Sequence, residues 1–211
     1  MKTKQLIPDW QRIFKRLKVI KRGHFVFVSK RHGTHYVCKE QLVADPELLS
    51  RFCLVLATQF MRDAVDVVVC PAVVGAALST WIAYYLSQLC GRKVYAVIAE
   101  KDGDGKFVIR HGYKRFVRGK RVLVGDDVVN DGASLRALLP VIRAAGGITV
   151  GVGTFVNRGK RKARNFGISK LVSLIHLNLP IYAPGKKTCP GCRRNAPFSK
   201  THGHSRKKGL A

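Results

Sequence analysis

The sequence predicts an α/β fold with a mainly parallel sheet covered by helices on both faces. Short β-rich runs alternate with stretches of helical spacing, the order expected of strand–helix–strand units. Two of those runs, at residues 67–69 and 122–124, are apolar on both faces, as a strand sandwiched between helical layers requires. At 211 residues, 46% of them hydrophobic, the chain can bury one substantial core.

The elements follow in order. Trp10, Ile13, Phe14 and Leu17 have the i, i+3, i+4, i+7 spacing of a helix packed by one face. A hairpin is expected over about residues 24–39, then a helix over roughly 46–61. Residues 67–91 contain no charged side chain, which raises the question of a membrane span. Pro71 and Gly75 break the run early, and Ser79, Thr80, Ser87 and Gln88 follow, so strand, tight loop and buried helix (75–89) fit better. A strand at 94–98 and a hairpin near 107–110 precede the strand at 122–124 and its helix. Further strands are expected near 148–156 and 171–176. No internal repeat is present. Residues 157–170 and those after Pro184 are basic and poor in apolar side chains, which predicts mobile surface. The expected organisation is one domain over residues 1–184 and a basic Cys/His-containing tail over 185–211.

The formal net charge is +27, from 39 Lys and Arg against 12 Asp and Glu. Such a charge predicts attraction to polyanions or phosphate-rich substrates, or simply a solvated surface. No nucleic-acid-binding motif accompanies it. The acids are not spread evenly: six of the twelve, Glu100, Asp102, Asp104, Asp126, Asp127 and Asp131, fall in one stretch. The N-terminus lacks the compact apolar block of a secretory signal. Cys38, Cys53, Cys70 and Cys90 sit singly in apolar segments and read as small core residues in a reducing compartment, so a cytoplasmic protein without a membrane anchor is expected.

The stretch Val122-Leu123-Val124-Gly125-Asp126-Asp127-Val128-Val129-Asn130-Asp131-Gly132-Ala133-Ser134 carries the chemistry. Two adjacent carboxylates at the end of an apolar strand repel unless a cation or hydroxyl groups satisfy them. Just after them, backbone N–H groups and the positive end of a helix dipole converge, which is a seat for phosphate. Gly132 lets the backbone come close and the Ser134 hydroxyl adds a donor. Acids for hydroxyls and donors for phosphate, one loop apart, suit a sugar phosphate.

This pattern resembles the phosphoribosyl-pyrophosphate (PRPP) motif of type I phosphoribosyltransferases. The hairpin segment from Gly23 through Ser29-Lys30-Arg31-His32-Gly33-Thr34 to Lys39 is similar to the N-terminal hood of orotate phosphoribosyltransferases. Ile98-Ala99-Glu100-Lys101 with Arg110-His111-Gly112-Tyr113, and the ending Cys189-Pro190-Gly191-Cys192 with Pro197, resemble the same group. The resemblance implies a type I phosphoribosyltransferase-like sheet with a hairpin hood, a homodimer, and substrate-bound Mg²⁺ with no dedicated protein metal ligand. It places Asp126 and Asp127 on the ribose hydroxyls, and Asn130, Asp131, Gly132, Ala133 and Ser134 around the 5′-phosphate. Pro71, Ala72, Val73, Val74 and Gly75 match the pyrophosphate loop, with Cys70 where glycine is usual, and Lys101 matches a lysine that contacts pyrophosphate. Lys39 and Arg158 match positions near the base. The region that is a mobile basic lid in longer members is here the short acidic loop 102–106, with Lys106, Arg110 and His111 nearby. The implied activity is transfer of phosphoribosyl from PRPP to orotate. A purine or other-base transferase, and a PRPP-fold regulator that binds nucleic acid, are the alternatives. In the tail, Cys189 and Cys192 with His202 and His204 have the atoms for a zinc site, alongside the readings of a redox pair or an unliganded tail.

Overall fold

The computed structural model describes residues 10–27 and 29–203. Helix α1 (Trp10–Arg16) forms where one-face spacing predicts it, and Trp10 stacks on Phe52 with ring centroids 4.0 Å apart. Strands β1 (Ile20–Val26) and β2 (His32–Val37) make the antiparallel hairpin, with a register shift between Arg22 and Phe25. After a short turn, α2 (Glu40–Val43), comes α3 (Pro46–Phe60). Asp45 caps it by accepting a hydrogen bond from the Leu48 N–H at 3.0 Å, and Pro46 takes the first turn, where no donor is needed.

The remaining elements are β3 (Val67–Pro71), α4 (Gly75–Cys90), β4 (Tyr95–Lys101), β5 (Phe107–Val108), α5 (His111–Lys114) and β6 (Arg121–Val129). They continue as α6 (Ala133–Ala144), β7 (Ile148–Asn157), β8 (Leu171–His176), β9 (Ile181–Tyr182) and α7 (Pro190–Arg193). Six strands form one sheet in the order β5-β4-β3-β6-β7-β8, parallel except for β5 at the edge. The order reverses beside β3, where the chain crosses from one side of the sheet to the other and the strand ends open a crevice. On one face, Val68, Leu123 and Phe155 pack with Phe52, Phe60, Leu78 and Ile82. On the other, Val67, Val69, Val122 and Val124 pack with Leu135, Leu138 and Ile142. The expected fold class is the observed one, and among the described residues no helix is long and apolar enough to cross a membrane.

The expected strand at 122–124 runs further. It pairs with β7 through Asp126↔Thr154 and Val128↔Val156, and the Thr154 hydroxyl donates to the Asp127 carbonyl at 3.1 Å. The acids therefore lie inside a paired strand, with Asp126 in register with Thr154, and the loop begins only after Val129. A second, three-stranded sheet, β1-β2-β9, forms the hood. The basic segments expected to be mobile make defined contacts: the Asn157 side chain brackets the Arg161 backbone at 3.0 and 2.7 Å, and the Ser199 N–H donates to the His24 carbonyl at 2.8 Å. Local polar bonding does there what apolar burial does elsewhere.

Cys70, the unusual residue before the 71–75 loop, is accommodated by glycines on both sides. A Cβ at Gly125 would lie 2.5 Å from the Cys70 sulfur, and one at Gly75 would lie 2.7 Å from the Cys70 Cβ. Gly125→Ala is expected to cost about 1–3 kcal/mol by overpacking. In a Cys70→Ala background, which removes the sulfur, the same change should cost far less; equal costs in the two backgrounds, measured by urea denaturation, would refute the contact.

Candidate active site

A cavity of about 690 Å³ opens beyond the carboxyl ends of the parallel strands. Its floor includes Asp126 and Asp127, and it is walled by the loops after β3 and β6 and by the hood residues Phe27, Tyr36, Val37 and Lys39. Both acids are buried at 8% exposure, although successive residues of a regular strand point to opposite faces. Local bonds hold the two: the Asp127 N–H donates to Asp126 Oδ1 at 2.9 Å, and the Val128 N–H donates to Asp127 Oδ1 at 2.6 Å.

Lys39 supplies the counter-charge. Its Nζ lies 2.6 Å from Asp127 Oδ2 and joins the hood to the central strand. Burial works against the ammonium, but Asp127 and Asp126 outweigh it and hold the group above the ordinary lysine range. Among the described residues Asp126 has no such ion pair; burial first, and then the Asp127 charge, push its carboxyl from 3.8 up to about 8.

The loop from Asn130 to Ser134 follows directly. Gly132 has φ +85°, and a Cβ there would lie 2.3 Å from the Phe166 ring, so both backbone angle and space call for glycine. Asp131 turns its side chain back, its Oδ1 accepting from the Ala133 N–H at 3.1 Å, which settles where that negative charge points. The Asn130 side-chain oxygen is buried with no hydrogen-bond partner among the described residues. On the other side of the cavity, Pro71, Ala72, Val73, Val74 and Gly75 lead into the sixteen-residue α4, and Val73 is 87% exposed. Lys101 is exposed on the cavity rim at the end of β4. The loop 102–106 is a tight hairpin turn tied by Asp102 Oδ1 to the N–H groups of Asp104 and Lys106, at 3.0 and 2.9 Å. Arg110 faces Glu100 at 2.9 Å.

Arg158 reaches the cavity but is partly engaged. Nη2 donates to the His35 carbonyl at 2.7 Å, Nε donates to the Leu179 carbonyl at 3.3 Å, and the guanidinium lies 4.5 Å above the Phe27 ring. It therefore fastens the hood as well as lining the cavity. The tail histidines are a correction. His202 points its Nε2 at Cys38 and leans its ring on Tyr36, not on Cys189 and Cys192, and His204 lies outside the described residues. The residues beside those cysteines are His24 and His32, which sequence reasoning placed only in the hairpin.

A crevice at a strand-order reversal, with paired acids beside a glycine-bent helix start, defines an open α/β protein whose ligand site lies at the switch point of its sheet. The profile described as "Phosphoribosyl transferase domain" matches residues 55–178, and the chain belongs to that phosphoribosyltransferase family. An orotate phosphoribosyltransferase from Caldanaerobacter subterraneus subsp. tengcongensis is 34% identical over 188 residues, covering 89% of this chain and 93% of that one. Among solved structures, Mycobacterium tuberculosis H37Rv orotate phosphoribosyltransferase in complex with PRPP superposes with a TM-score of 0.58 at 22% identity, over 81% of this chain and 97% of that one. An adenine phosphoribosyltransferase from Thermoanaerobacter pseudethanolicus gives 0.61 at 20% identity, over 78% and 99%. The fold is thus shared across enzymes for different bases.

The raised Asp126 carboxyl has a stability consequence. Protonation is favoured in the folded state, so stability is present at low pH and lost as pH rises between 3.8 and about 8. Asp126→Asn, which keeps the shape without the charge, should stabilise the ligand-free protein by about 1–3 kcal/mol at pH 8. Urea denaturation near pH 4 should show the advantage gone; an advantage independent of pH would contradict the assignment.

Proposed function

We propose that the protein is an orotate phosphoribosyltransferase, converting orotate and PRPP to orotidine 5′-monophosphate and pyrophosphate. The observation that carries this reading is the buried Asp126–Asp127 pair on the cavity floor, one loop away from the glycine-bent start of α6. Similarity to an orotate enzyme over nearly the whole chain supports the choice of base.

In the reaction the bond from the anomeric carbon to pyrophosphate breaks with its electron pair, and N1 of orotate bonds to that carbon and loses its proton. Positive charge develops on the ribose ring as the first bond lengthens. Asp126 and Asp127 accept hydrogen bonds from the 2′ and 3′ hydroxyls, and their field favours the developing cation. The ribose hydroxyls thereby give Asp126 the partners that the ligand-free cavity lacks. Asn130, Asp131, Gly132, Ala133 and Ser134 enclose the 5′-phosphate with amide and hydroxyl donors. The 71–75 loop, at the positive end of the α4 dipole, and Lys101 hold pyrophosphate. Lys39, and the N–H groups of Arg158 that are not spent on backbone carbonyls, face the base and its carboxylate. These roles require positioning and charge neutralisation, with no covalent enzyme intermediate.

Mg²⁺ would be carried chiefly by substrate phosphate and hydroxyl oxygens, with the Asp126 and Asp127 carboxylates as nearby hard oxygen donors rather than dedicated ligands, and it would supply neutralisation of the pyrophosphate charge.

Incubation of the purified protein with PRPP, Mg²⁺ and a panel of bases should give turnover of orotate. Turnover of adenine or another purine with none of orotate would overturn the choice of base and leave the fold intact. Asp127→Asn is expected to lower kcat by about 10²–10³. Because it also removes the anchor of Lys39, KM for orotate should rise in the same steady-state assay.

A further inference from the structure

Outside the cavity, His24 and His32 of the hairpin meet Cys189 and Cys192 of the C-terminal segment, their four ligand atoms all within 4.8 Å of one another. None of the four lines the cavity. His24 Nε2 lies 3.2 Å from His32 Nδ1, 3.4 Å from Cys189 Sγ and 3.7 Å from Cys192 Sγ; His32 Nδ1 lies 3.2 Å from Cys192 Sγ. Hydrogen bonding accounts for this arrangement only in part: a thiol can donate to each imidazole, but two acceptor nitrogens then face each other at 3.2 Å. His24 Nδ1 sits 2.8 Å from the Ala196 carbonyl and must carry a proton there, so Nε2 has one lone pair, or one N–H, for three neighbours. A tetrahedral ion with bonds of about 2.0 Å to nitrogen and 2.3 Å to sulfur has edges of roughly 3.3 Å between nitrogens and 3.6 Å between nitrogen and sulfur. The four separations given match those edges to within a few tenths of an ångström, and no pair of the four atoms is more than 4.8 Å apart.

The surroundings are those of a built site. The Ala196 carbonyl fixes the tautomer and angle of His24, as outer partners of ligating imidazoles do. The Phe198 ring covers both imidazoles, with centroids at 4.1 and 5.0 Å. The Cys-Pro-Gly-Cys turn comes so close that a Cβ at Gly191 would lie 2.5 Å from the His24 ring. His24, His32 and Cys189 are buried.

We propose that His24 Nε2, His32 Nδ1 and the two sulfurs bind one zinc ion that clamps the C-terminal segment to the hairpin roofing the cavity. Two nitrogens and two sulfurs in a tetrahedron suit zinc, and binding releases the thiol protons. The ion joins positions 168 residues apart in sequence, so it replaces the apolar burial that a short basic tail cannot supply. The clamped hairpin carries Phe27, Tyr36 and Lys39, so the ion steadies the wall of the cavity without touching substrate.

The full-length protein, purified under reducing conditions without chelator, should carry one zinc per chain by mass spectrometry of its metals. Cobalt(II) exchanged into it should give the strong visible bands of a tetrahedral site and thiolate charge transfer. Cys192→Ser and His32→Ala should lose the metal and those bands, while His202→Ala keeps both. Removing zinc from the wild-type protein with a chelator should lower its melting temperature and expose the tail to protease, a readout that needs no variant to fold. A reduced wild-type chain that binds neither zinc nor cobalt overturns the proposal. So do variants at Cys189, Cys192 and His32 that all retain full occupancy, and a Cys189–Cys192 disulfide that forms with zinc supplied.

Discussion

Two carboxylates forced side by side under a roof of protein are the constraint around which this molecule is arranged. Carboxylates lose hydration on burial and repel each other, so each needs a local remedy. Asp127 receives the Lys39 ammonium and a backbone N–H, while Asp126 receives a backbone N–H and its carboxyl is held above the ordinary carboxylate range. The first remedy is also architectural, because Lys39 belongs to the hairpin and Asp127 to the central strand. Electrostatics at the floor thus dock the hood where apolar contact is sparse. The large positive charge elsewhere on the chain adds little to so local a pairing, since exposed charges are screened within about 10 Å.

The second constraint is closeness of backbone. Gly75, Gly125 and Gly132 each sit where a Cβ would strike a neighbour: the first two against Cys70, the third against Phe166. The cavity loops are consequently held by packing beneath them. Cys70 is fully buried, and its thiol is pushed far above the ordinary range by burial and by the Asp126 charge, which leaves it inert as a nucleophile. A residue that looked like a departure in the loop is in fact a filler under it.

Much of the sheet was legible because its strands are buried on both faces and leave unbroken apolar runs, as at Val67, Val68 and Val69. The helices were legible through spacing, as in Trp10, Phe14 and the 75–89 stretch. The floor and the loop to Ser134 were legible because adjacent acids before a small-residue turn are chemically unusual. The extent of β6 was not: acids resemble a strand end until the neighbouring strand is known to pair past them. Nor was the double duty of Arg158, whose bonds to His35 and Leu179 depend on tertiary approach. The neighbours of Cys189 and Cys192 are not legible for the same reason. Sequence proximity favoured His202 and His204, whereas folding brings His24 and His32 from the opposite end of the chain.

The turn before α6 holds its own internal anion. Because Asp131 Oδ1 already accepts from the Ala133 amide, an incoming anion meets a donor in use rather than an idle one. In the proposed phosphate role, capture there is an exchange of ligands, and the swap forfeits about 0.5–1.5 kcal/mol of the new contact. In return the turn keeps its shape when empty, so little ordering is left for the guest to impose.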